Sequence, residues 1–360
     1  MDTSGRLWRV GARPRVRGAG LSRRALIGGG ITVAAAGALA AAAVTVGGSA
    51  LAAGQPGPGG RALAPTAVPE VTTTAVAGGY QFVELGSHQD RTYNQFFSIN
   101  DNGRISASYG FGDKGHPSKG YTIVAPYAQR DVKAENYPHA VQTEVFGLND
   151  SNVQVGEYST QNDANSINDP WFGWYYNGSF HKVVFPAKHN ASPVDDELAG
   201  VNNHDIAVGS YENSPDHFQG FTFNIKTGKY TALTLPGVPA STTVFADGIN
   251  NSGDIVGQVG ADGFIKLAGG GLHRIVVPGA AETIAFSVND NDTVVGAYLD
   301  SSNRFHGFIW RIGGSLTTFV DDPNADGPSY LSGINDEGDV VGSYQDSSGH
   351  MDAFLAFPAF

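Results

Sequence analysis

The amino-acid sequence predicts an all-β protein built from six four-stranded units, and three repeated features predict it. An Asn after an aliphatic residue recurs six times, and a Gly, or an Ala in the first copy, follows each Asn by seven residues. A Gly or Ala before an aromatic residue also recurs once per copy. Self-similarity at a period of roughly 40 to 50 residues is typical of stacked or radially arrayed units. The landmark pairs are Asn100 and Ala107, Asn149 and Gly156, Asn202 and Gly209, Asn250 and Gly257, Asn289 and Gly296, and Asn335 and Gly342.

The fourth copy shows the strands of one unit. Residues 243–250, 254–259, 263–268 and 272–278 are short β-rich runs, and Gly, Asn, Asp and Pro separate them. Runs of this length between tight turns are typical of strands, and nothing in the repeat has helical spacing. The segment after the landmark Asn fits a type I turn followed by a left-handed Gly. Four strands per unit are therefore predicted.

Three positions of the repeat have expected structural roles. The landmark Asn is expected to cap the following turn, because Asn side chains readily bond the backbone ahead of them. The landmark aromatics are expected to pack between neighbouring units. The residue two positions before each Asn is small, which we expect to let six inner strands converge on a crowded axis; a ligand tunnel is the alternative. These small residues are Ser98, Gly147, Gly200, Gly248, Ser287 and Gly333.

The two ends of the repeat region are expected to complete one unit together. The sixth copy stops at Phe360 after its third strand, and residues 80–85 precede the first landmark where a fourth strand would lie. Pairing these two segments would close a ring and remove exposed sheet edges. The predicted fold is therefore a six-bladed β-propeller over residues 80–360. An open β-solenoid is the alternative, and it would need capping units.

The fifth copy contains Phe305-His306-Gly307-Phe308-Ile309-Trp310 downstream of Asn289, Gly296 and Tyr298. This pattern resembles the bacterial extracellular repeats named after a His-Ala-Phe tripeptide (HAF-type repeats). The resemblance spans roughly residues 80 to 360, and the fifth copy alone carries the histidine in register. It implies an exported, propeller-like domain and supplies no catalytic residues to transfer.

Residues 1–52 are expected to be an export signal of the twin-arginine type. Arg23 and Arg24 precede an apolar run rich in Ala and Gly, and Ala50-Leu51-Ala52 matches a small-x-small cleavage site. An uncleaved membrane anchor is the alternative, because the run is long enough to span a bilayer. Residues 53–79, rich in Gly, Pro, Ala and Thr, are expected to be a linker. The expected product is a secreted bacterial protein with no membrane insertion after cleavage.

The composition restricts the partners. Without the leader, which carries seven Arg and one Asp, the chain keeps 15 basic and 33 acidic side chains, a formal charge of −18. Such a surface repels phosphate backbones, so nucleic acid is excluded as a partner. Glycans, peptides and small molecules remain, and a monomer is expected. The sequence contains no Cys, which excludes a thiol nucleophile and a Cys-ligated metal.

A functional site is expected where loops depart from the repeat. These loops join second to third strands and one unit to the next, and they emerge on one face at the mouth of the central channel. Trp171 is expected to be an exposed sugar-stacking indole, whereas Trp174 and Tyr176 are expected in the core. The ligand-binding candidates are Trp171, Asp169, His116, His217 and His306. The catalytic candidates, proposed for acid–base work, are His306, His350, His88, His189 and Asp195.

One segment resembles part of a calcium loop. Asp322, Asn324 and Asp326 match the first half of such a loop, in which oxygen ligands alternate before a sharp Gly turn. Gly333 stands at the twelfth position, where a bidentate Glu is required. No cofactor is therefore predicted, and bound calcium is the alternative to an acidic turn between two blades.

The favoured function is binding or recognition of a glycan or peptide at the loop-bearing channel mouth. The sequence contains no Gly-x-Ser-x-Gly elbow and no His-Glu-x-x-His motif, so the usual serine esterase and zinc protease interpretations lack support. The alternative is an exported hydrolase, lyase or cyclase whose acid–base groups converge from several blades on that face. A purely structural envelope protein is a third hypothesis.

Overall fold

The predicted six-bladed β-propeller is confirmed. The structure, a computed structural model, describes residues 72–85, 93–110, 116–162, 169–186, 192–214, 217–314, 316 and 318–359. Within these ranges the chain forms six antiparallel sheets, five of four strands and one of five, and a short 3-10 helix at Gln129–Asp131. No helix in the described ranges has the length and apolar character needed to cross a membrane.

Each sheet is one blade, and its strands follow one another outward from the axis. Blade 1 contains β3 (Asn94–Ile99), β4 (Ile105–Tyr109), β5 (Lys119–Ile123) and β6 (Val132–Ala134). Blade 2 contains β7 (Gln142–Leu148), β8 (Gln154–Ser159), β9 (Phe172–Tyr176) and β10 (Phe180–Val183). Blade 3 contains β11 (Asp196–Val201), β12 (Ile206–Ser214), β13 (His217–Asn224) and β14 (Lys229–Ala232).

The remaining blades follow the same order. Blade 4 contains β15 (Val244–Ile249), β16 (Ile255–Val259), β17 (Asp262–Lys266) and β18 (Leu272–Ile275). Blade 5 contains β19 (Glu282–Val288), β20 (Thr293–Leu299), β21 (Phe305–Arg311) and β22 (Thr318–Phe319). Blade 6 contains β23 (Ser329–Ile334), β24 (Val340–Gln345) and β25 (Met351–Pro358), and then β2 (Tyr80–Glu84) and β1 (Thr72–Ala77) from the start of the described chain.

The ring closes through blade 6, as the sequence predicts. Phe82 pairs with Ala356 and Val83 with Leu355 in antiparallel register. The ring of Phe82 packs against that of Phe354 with centroids 5.0 Å apart, and both side chains are buried. Closure therefore joins the two ends by backbone pairing and by core packing.

The fifth strand of blade 6 differs from the sequence-based expectation. β1 lies within residues 53–79, which were expected to be a linker, and it forms a hairpin with β2 in which Ala77 pairs with Tyr80. Gly78 and Gly79 form the two-residue turn, with φ of 57° and 82°. A two-residue turn with both φ positive matches the twist of flanking strands, and glycine adopts it without strain. The predictions for residues 1–71 concern a segment outside the described residues.

The second landmark of each repeat makes room for the third. Gly156 pairs across the sheet with Trp174, and Gly296 pairs with Phe308. A Cβ at Gly296 would lie 2.8 Å from the ring of Phe308 and would collide with the carbonyl oxygen of Ile284. The landmark aromatics are therefore buried between blades, as predicted: Tyr121, Trp174, Phe221, Phe264, Phe308 and Phe354.

The small residues two positions before each landmark Asn mark the convergence of the inner strands. A Cβ at Gly147 would lie 3.0 Å from the carbonyl oxygen of Ala199 on the next blade. A Cβ at Gly333 would lie 2.7 Å from Cα of Ser98, across the junction of blades 6 and 1. The inner strands thus meet backbone to backbone, which supports steric convergence over a ligand tunnel.

We predict that Gly248→Ala destabilises the protein and that Gly269→Ala does not. A Cβ at Gly248 would lie 2.7 Å from the carbonyl oxygen of Phe286, whereas a Cβ at Gly269 meets nothing within 4 Å. Overpacking at the axis should cost about 1–3 kcal/mol, and the change at the open turn should stay within about 0.5 kcal/mol. Denaturant unfolding of both variants measures this. Equal stabilities would contradict the proposed crowding at the axis.

Candidate functional site

Chain topology gives the propeller two unlike faces. In an antiparallel blade, the turn after the first strand and the loop after the second lie at opposite ends. We call the end with the six turns after the inner strands the turn face. The opposite end, with the loops between second and third strands and between blades, is the loop face. The sequence analysis placed the candidate site on the loop face.

Each landmark Asn caps its own turn, and five of the six also bond the next blade. Asn149 Oδ1 accepts hydrogen bonds from the amides of Ser151 and Val153, at 3.0 and 2.9 Å. Asn149 Nδ2 donates to the carbonyl oxygen of Asn202 on blade 3, at 3.0 Å. The same bond to the next blade is made by Asn100, Asn202, Asn250 and Asn289. The predicted capping role is confirmed, and the link to the next blade was not predicted.

A second ring lies next to the first. The residue after each landmark Asn donates its backbone N–H to the side-chain oxygen of the equivalent residue on the next blade. Six such bonds, of 2.7 to 3.0 Å, form a complete circle. The last of them joins Asp336 of blade 6 to Asp101 of blade 1. We call these residues the Asx ring: Asp101, Asp150, Asn203, Asn251, Asp290 and Asp336.

The sequence analysis missed the Asx ring, although a signal for it is present. An acid or amide follows the landmark Asn in all six copies. A short side chain with an acceptor oxygen can reach a backbone amide on a neighbouring turn, and Asp and Asn share that property. Repetition of Asx at this position therefore indicates a structural ring.

The two rings surround a polar funnel at the centre of the turn face. Its cavity of about 80 Å³ is lined by the landmark Asn residues, the Asx ring and the aliphatic residues before them. Sites for drug-sized ligands usually measure about 300–1,000 Å³. The funnel therefore has room for a few water molecules and is too small for a glycan or a peptide.

The carboxylates of the Asx ring repel one another. Desolvation raises the pKa of Asp101 above its ordinary value of 3.8, and the charges of Asp336, Asp150 and Asp290 raise it further. The hydrogen bond from the Asp336 amide opposes this shift. The ring therefore stabilises the fold through its hydrogen bonds and destabilises it through its charge.

On the loop face, Trp171 is not the exposed platform that the sequence predicts. Its side chain is only 2% exposed, and its backbone amide donates to the carbonyl oxygen of Val194, in the connection before β11, at 2.8 Å. Asp169 is also buried and accepts a hydrogen bond from Gln142 at 3.2 Å. Pairing with the neighbouring connection draws this segment inward, so the expectation that the Trp171 indole is exposed was wrong. Trp174 is buried in the core, as expected.

Other candidates on the loop face remain separate from one another. His217 contacts the amide oxygen of Asn213 through Nδ1, at 2.6 Å. The carbonyl oxygen of Asp195 accepts a hydrogen bond from the Glu212 amide at 2.9 Å, and His116 is exposed. His88 and His189 lie outside the described residues.

His306 is the candidate with the most polar contacts. Its Nδ1 lies 2.6 Å from Asp321 Oδ2, and its Nε2 lies 3.3 Å from Asp300 Oδ2. His350, on blade 6, lies 3.8 Å from Asp346 and is more exposed. The structure thus brings His306 together with two acids of its own blade and outgoing connection. In the ranges that the structure describes, no group of three or more His, Asp or Glu side chains could hold a metal ion.

The segment that resembles a calcium loop is held by hydrogen bonds within itself and to β24. Asp322 is buried, and its Oδ1 accepts a hydrogen bond from the amide of Asn324 at 2.8 Å. The amide of Asp326 donates to the carbonyl oxygen of Gln345 at 3.0 Å. These contacts are those of an ordered acidic turn between blades 5 and 6, and calcium binding there stays an untested alternative.

Comparisons with known proteins add little beyond the fold. No family model matches the chain, and no curated protein matches it in sequence. Virginiamycin B lyase from Staphylococcus aureus aligns over 76% of this chain and 88% of its own, with 10% identity and a TM-score of 0.44. A polysaccharide lyase of family PL25, an ulvan lyase, aligns over 73% and 78%, with 15% identity and a TM-score of 0.42.

A fucose-specific lectin from Aleuria aurantia is a third similar structure. It aligns over 68% of this chain and 91% of its own, with 10% identity and a TM-score of 0.42. Similarity at this level carries no argument about function.

We predict that Asp101→Asn stabilises the protein at neutral pH. Asn keeps the acceptor oxygen for the Asp336 amide and removes one of four like charges in the Asx ring. The folded-state pKa of Asp101 is raised. Protonation of Asp101 therefore favours the folded state, and this contribution is complete below about pH 3.8 and is lost as the pH rises through the folded-state pKa. The gain should therefore be a few tenths of a kcal/mol at pH 7 and vanish at pH 3.5.

Asn203→Asp is the matched reverse change. It adds a fifth carboxylate at the equivalent position and removes the hydrogen bond that Asn203 Nδ2 donates to Asp150 Oδ2 at 2.6 Å, so it should lower the melting temperature more at pH 7 than at pH 3.5. Melting curves of the three proteins at both pH values, at low salt, measure the effect. A loss of stability in Asp101→Asn at pH 7 would contradict the electrostatic interpretation.

Proposed function

We propose that this protein is a secreted propeller that binds a glycan or peptide on its loop face. The observation that carries the proposal is the closure of the turn face. Its six turns are joined by the complete Asx ring, and its funnel is too small for such ligands. The residues of that face repeat from blade to blade because they hold the blades together, which leaves recognition to the other face.

Convergence of the inner strands supports the same conclusion. The adjacent strands β3 and β7 place Phe97 and Phe146 edge to face, with ring centroids 5.3 Å apart, and both rings are buried. A Cβ at Gly200 would lie 3.0 Å from the carbonyl oxygen of Asp247. The inner strands are therefore crowded around the axis, which supports a binding site at the loop-face mouth over one inside a channel.

The charge of the chain restricts the chemistry of that ligand. A formal charge of −18 over residues 53–360 favours neutral or cationic ligands over anionic ones. The described loop face also presents polar groups that differ between blades, such as His217 beside Asn213 and His350 beside Asp346. Such groups can bond the hydroxyls of a glycan or the backbone of a peptide.

The second candidate function is an exported hydrolase, lyase or cyclase with acid–base residues on the same face. The contact between His306 and Asp321 favours it, because a carboxylate on Nδ1 can orient a histidine for proton transfer. However, Asp300 lies 3.3 Å from Nε2, the nitrogen that would take up the proton. Binding without chemistry is therefore the favoured function.

We predict that binding is confined to the loop face. A glycan array and a basic-peptide library would be screened with the secreted protein, and hits would be measured by isothermal calorimetry. His217→Ala and His350→Ala, tested separately, are expected to include at least one variant that weakens a hit about tenfold or more. Asp290→Asn keeps the ring acceptor on the turn face and should bind like the wild type.

Two outcomes would reject this proposal. If both screens are silent, the protein is not a glycan or peptide receptor, and measurable turnover of a glycan or peptide would then favour the enzyme. If Asp290→Asn weakens a hit while both histidine variants bind normally, the ligand site lies on the turn face.

A further inference from the structure

His306 is held between two carboxylates on opposite sides of its ring. It lies on β21, with Asp321 Oδ2 at 2.6 Å from Nδ1 and Asp300 Oδ2 at 3.3 Å from Nε2. The His306 side chain is 19% exposed and each Asp side chain is 31% exposed, so the group is partly shielded from water. Both ring nitrogens of one histidine thus face acceptor oxygens.

The two carboxylates belong to different segments, and each is fixed by its second oxygen. Asp300 Oδ1 accepts the amides of Ser302 and Arg304, at 2.7 and 2.9 Å, and so shapes the loop between β20 and β21. Asp321 Oδ1 accepts the amide of Gly307 at 3.0 Å, and this residue opens the connection to blade 6. His306 therefore joins a loop of blade 5 to the segment that leads into the next blade.

The protonation state decides how many of these contacts are attractive. A neutral imidazole has one N–H, so it can donate to one carboxylate while its other nitrogen turns a lone pair toward the second. An imidazolium donates to both. We propose that His306 is a proton-controlled clasp that ties the β20–β21 loop to the blade 5–blade 6 connection in mild acid and releases the loop in mild base.

Two further titratable residues lie near the clasp, Tyr298 and Arg304. The ring of Tyr298, on β20, stacks on His306 with centroids 5.2 Å apart. Desolvation raises the pKa of Tyr298, and the charges of Asp321 and Asp300 raise it further, so Tyr298 stays neutral. The Arg304 backbone amide lowers the pKa of Asp300 most, and the hydrogen bond to His306 lowers it further. The Arg304 guanidinium donates to the carbonyl oxygen of Ala325, at 3.2 Å.

The two distances identify the contact that opens, which is the longer one. At 2.6 Å, the pair of His306 Nδ1 and Asp321 has the length of a strong charge-assisted hydrogen bond, whereas 3.3 Å to Asp300 is long for one. A neutral His306 keeps its proton on Nδ1 and keeps Asp321. The bond to Asp300 is the one lost when the ring gives up its second proton, and histidine is the side chain whose ordinary charge change falls between about pH 5 and 8.

The test compares stability at pH 5.5 and pH 8.5 in the full chain. His306→Asn places a neutral donor near Nδ1 and nothing near Nε2, so it imitates the open clasp at every pH. At pH 5.5 it should unfold with an equilibrium constant about threefold to fivefold larger than that of the wild type. At pH 8.5 the two proteins should agree. Asp300→Asn keeps the turn-capping oxygen. In that background, His306→Asn should change the unfolding equilibrium constant by the same factor at both pH values.

His350→Gln is the matched control. His350 has one carboxylate near Nδ1, at 3.8 Å, so its replacement should shift stability little and equally at both pH values. Amide exchange of Ser302 and Arg304 gives a local readout, because the loop should exchange faster at pH 8.5 than intrinsic rates predict. A wild-type to His306→Asn difference that is the same at both pH values would overturn the proposal. A wild-type stability that rises with added zinc would overturn it in favour of a metal between Nε2 and Asp300.

Discussion

The hydrogen bonds of the landmark Asn are the interaction on which the rest of this propeller depends. One amide side chain offers an acceptor to cap its own turn and a donor to bond the next blade, a combination that an ionised Asp cannot supply. Five junctions between blades carry this donor bond, at 2.8 to 3.3 Å. At the sixth junction Asn335 Nδ2 instead contacts Asp339, at 3.2 Å. The bond from Asp336 to Asp101 spans this junction, and the pairing of β2 with β25 within blade 6 closes the ring.

The fixed spacing of the repeat follows from this anchor. Seven residues after the Asn, the chain has turned and run back beside the inner strand. In the five copies with Gly at this position a Cβ would collide with an inner-strand carbonyl oxygen, and in four of them it would also meet the facing aromatic ring. Glycine at that point lets the aromatic ring fill the space between blades. One face of the molecule is consequently occupied by bonds that hold the blades together. Variation between blades is left to the loops of the other face, where His306 connects two of them.

The sequence predicts the fold well because the fold is built from local, repeated contacts. The landmarks specify turns, strand register and packing within one blade, and the missing strand of the sixth copy predicts the closure. The strand β1 was missed because Gly78-Gly79 was grouped with a Gly-rich segment instead of being recognised as a hairpin turn. Trp171 was placed on the surface because its burial depends on pairing with a distant connection. The clasp around His306 joins residues from two separate loops, and no spacing in the sequence predicts that meeting.

Amide hydrogen exchange tests the central claim most directly. If the bonds of the landmark Asn residues and of the adjoining Asx ring hold the blades together, the six donor amides of the Asx ring can open only when blades separate. The amides of Asp101, Asp150, Asn203, Asn251, Asp290 and Asp336 should then be protected nearly as strongly as those of the inner strands. The amide of Gly269, in an outer hairpin turn of blade 4, provides the reference for an open turn. Exchange of the six ring amides as fast as that of Gly269 would contradict the account.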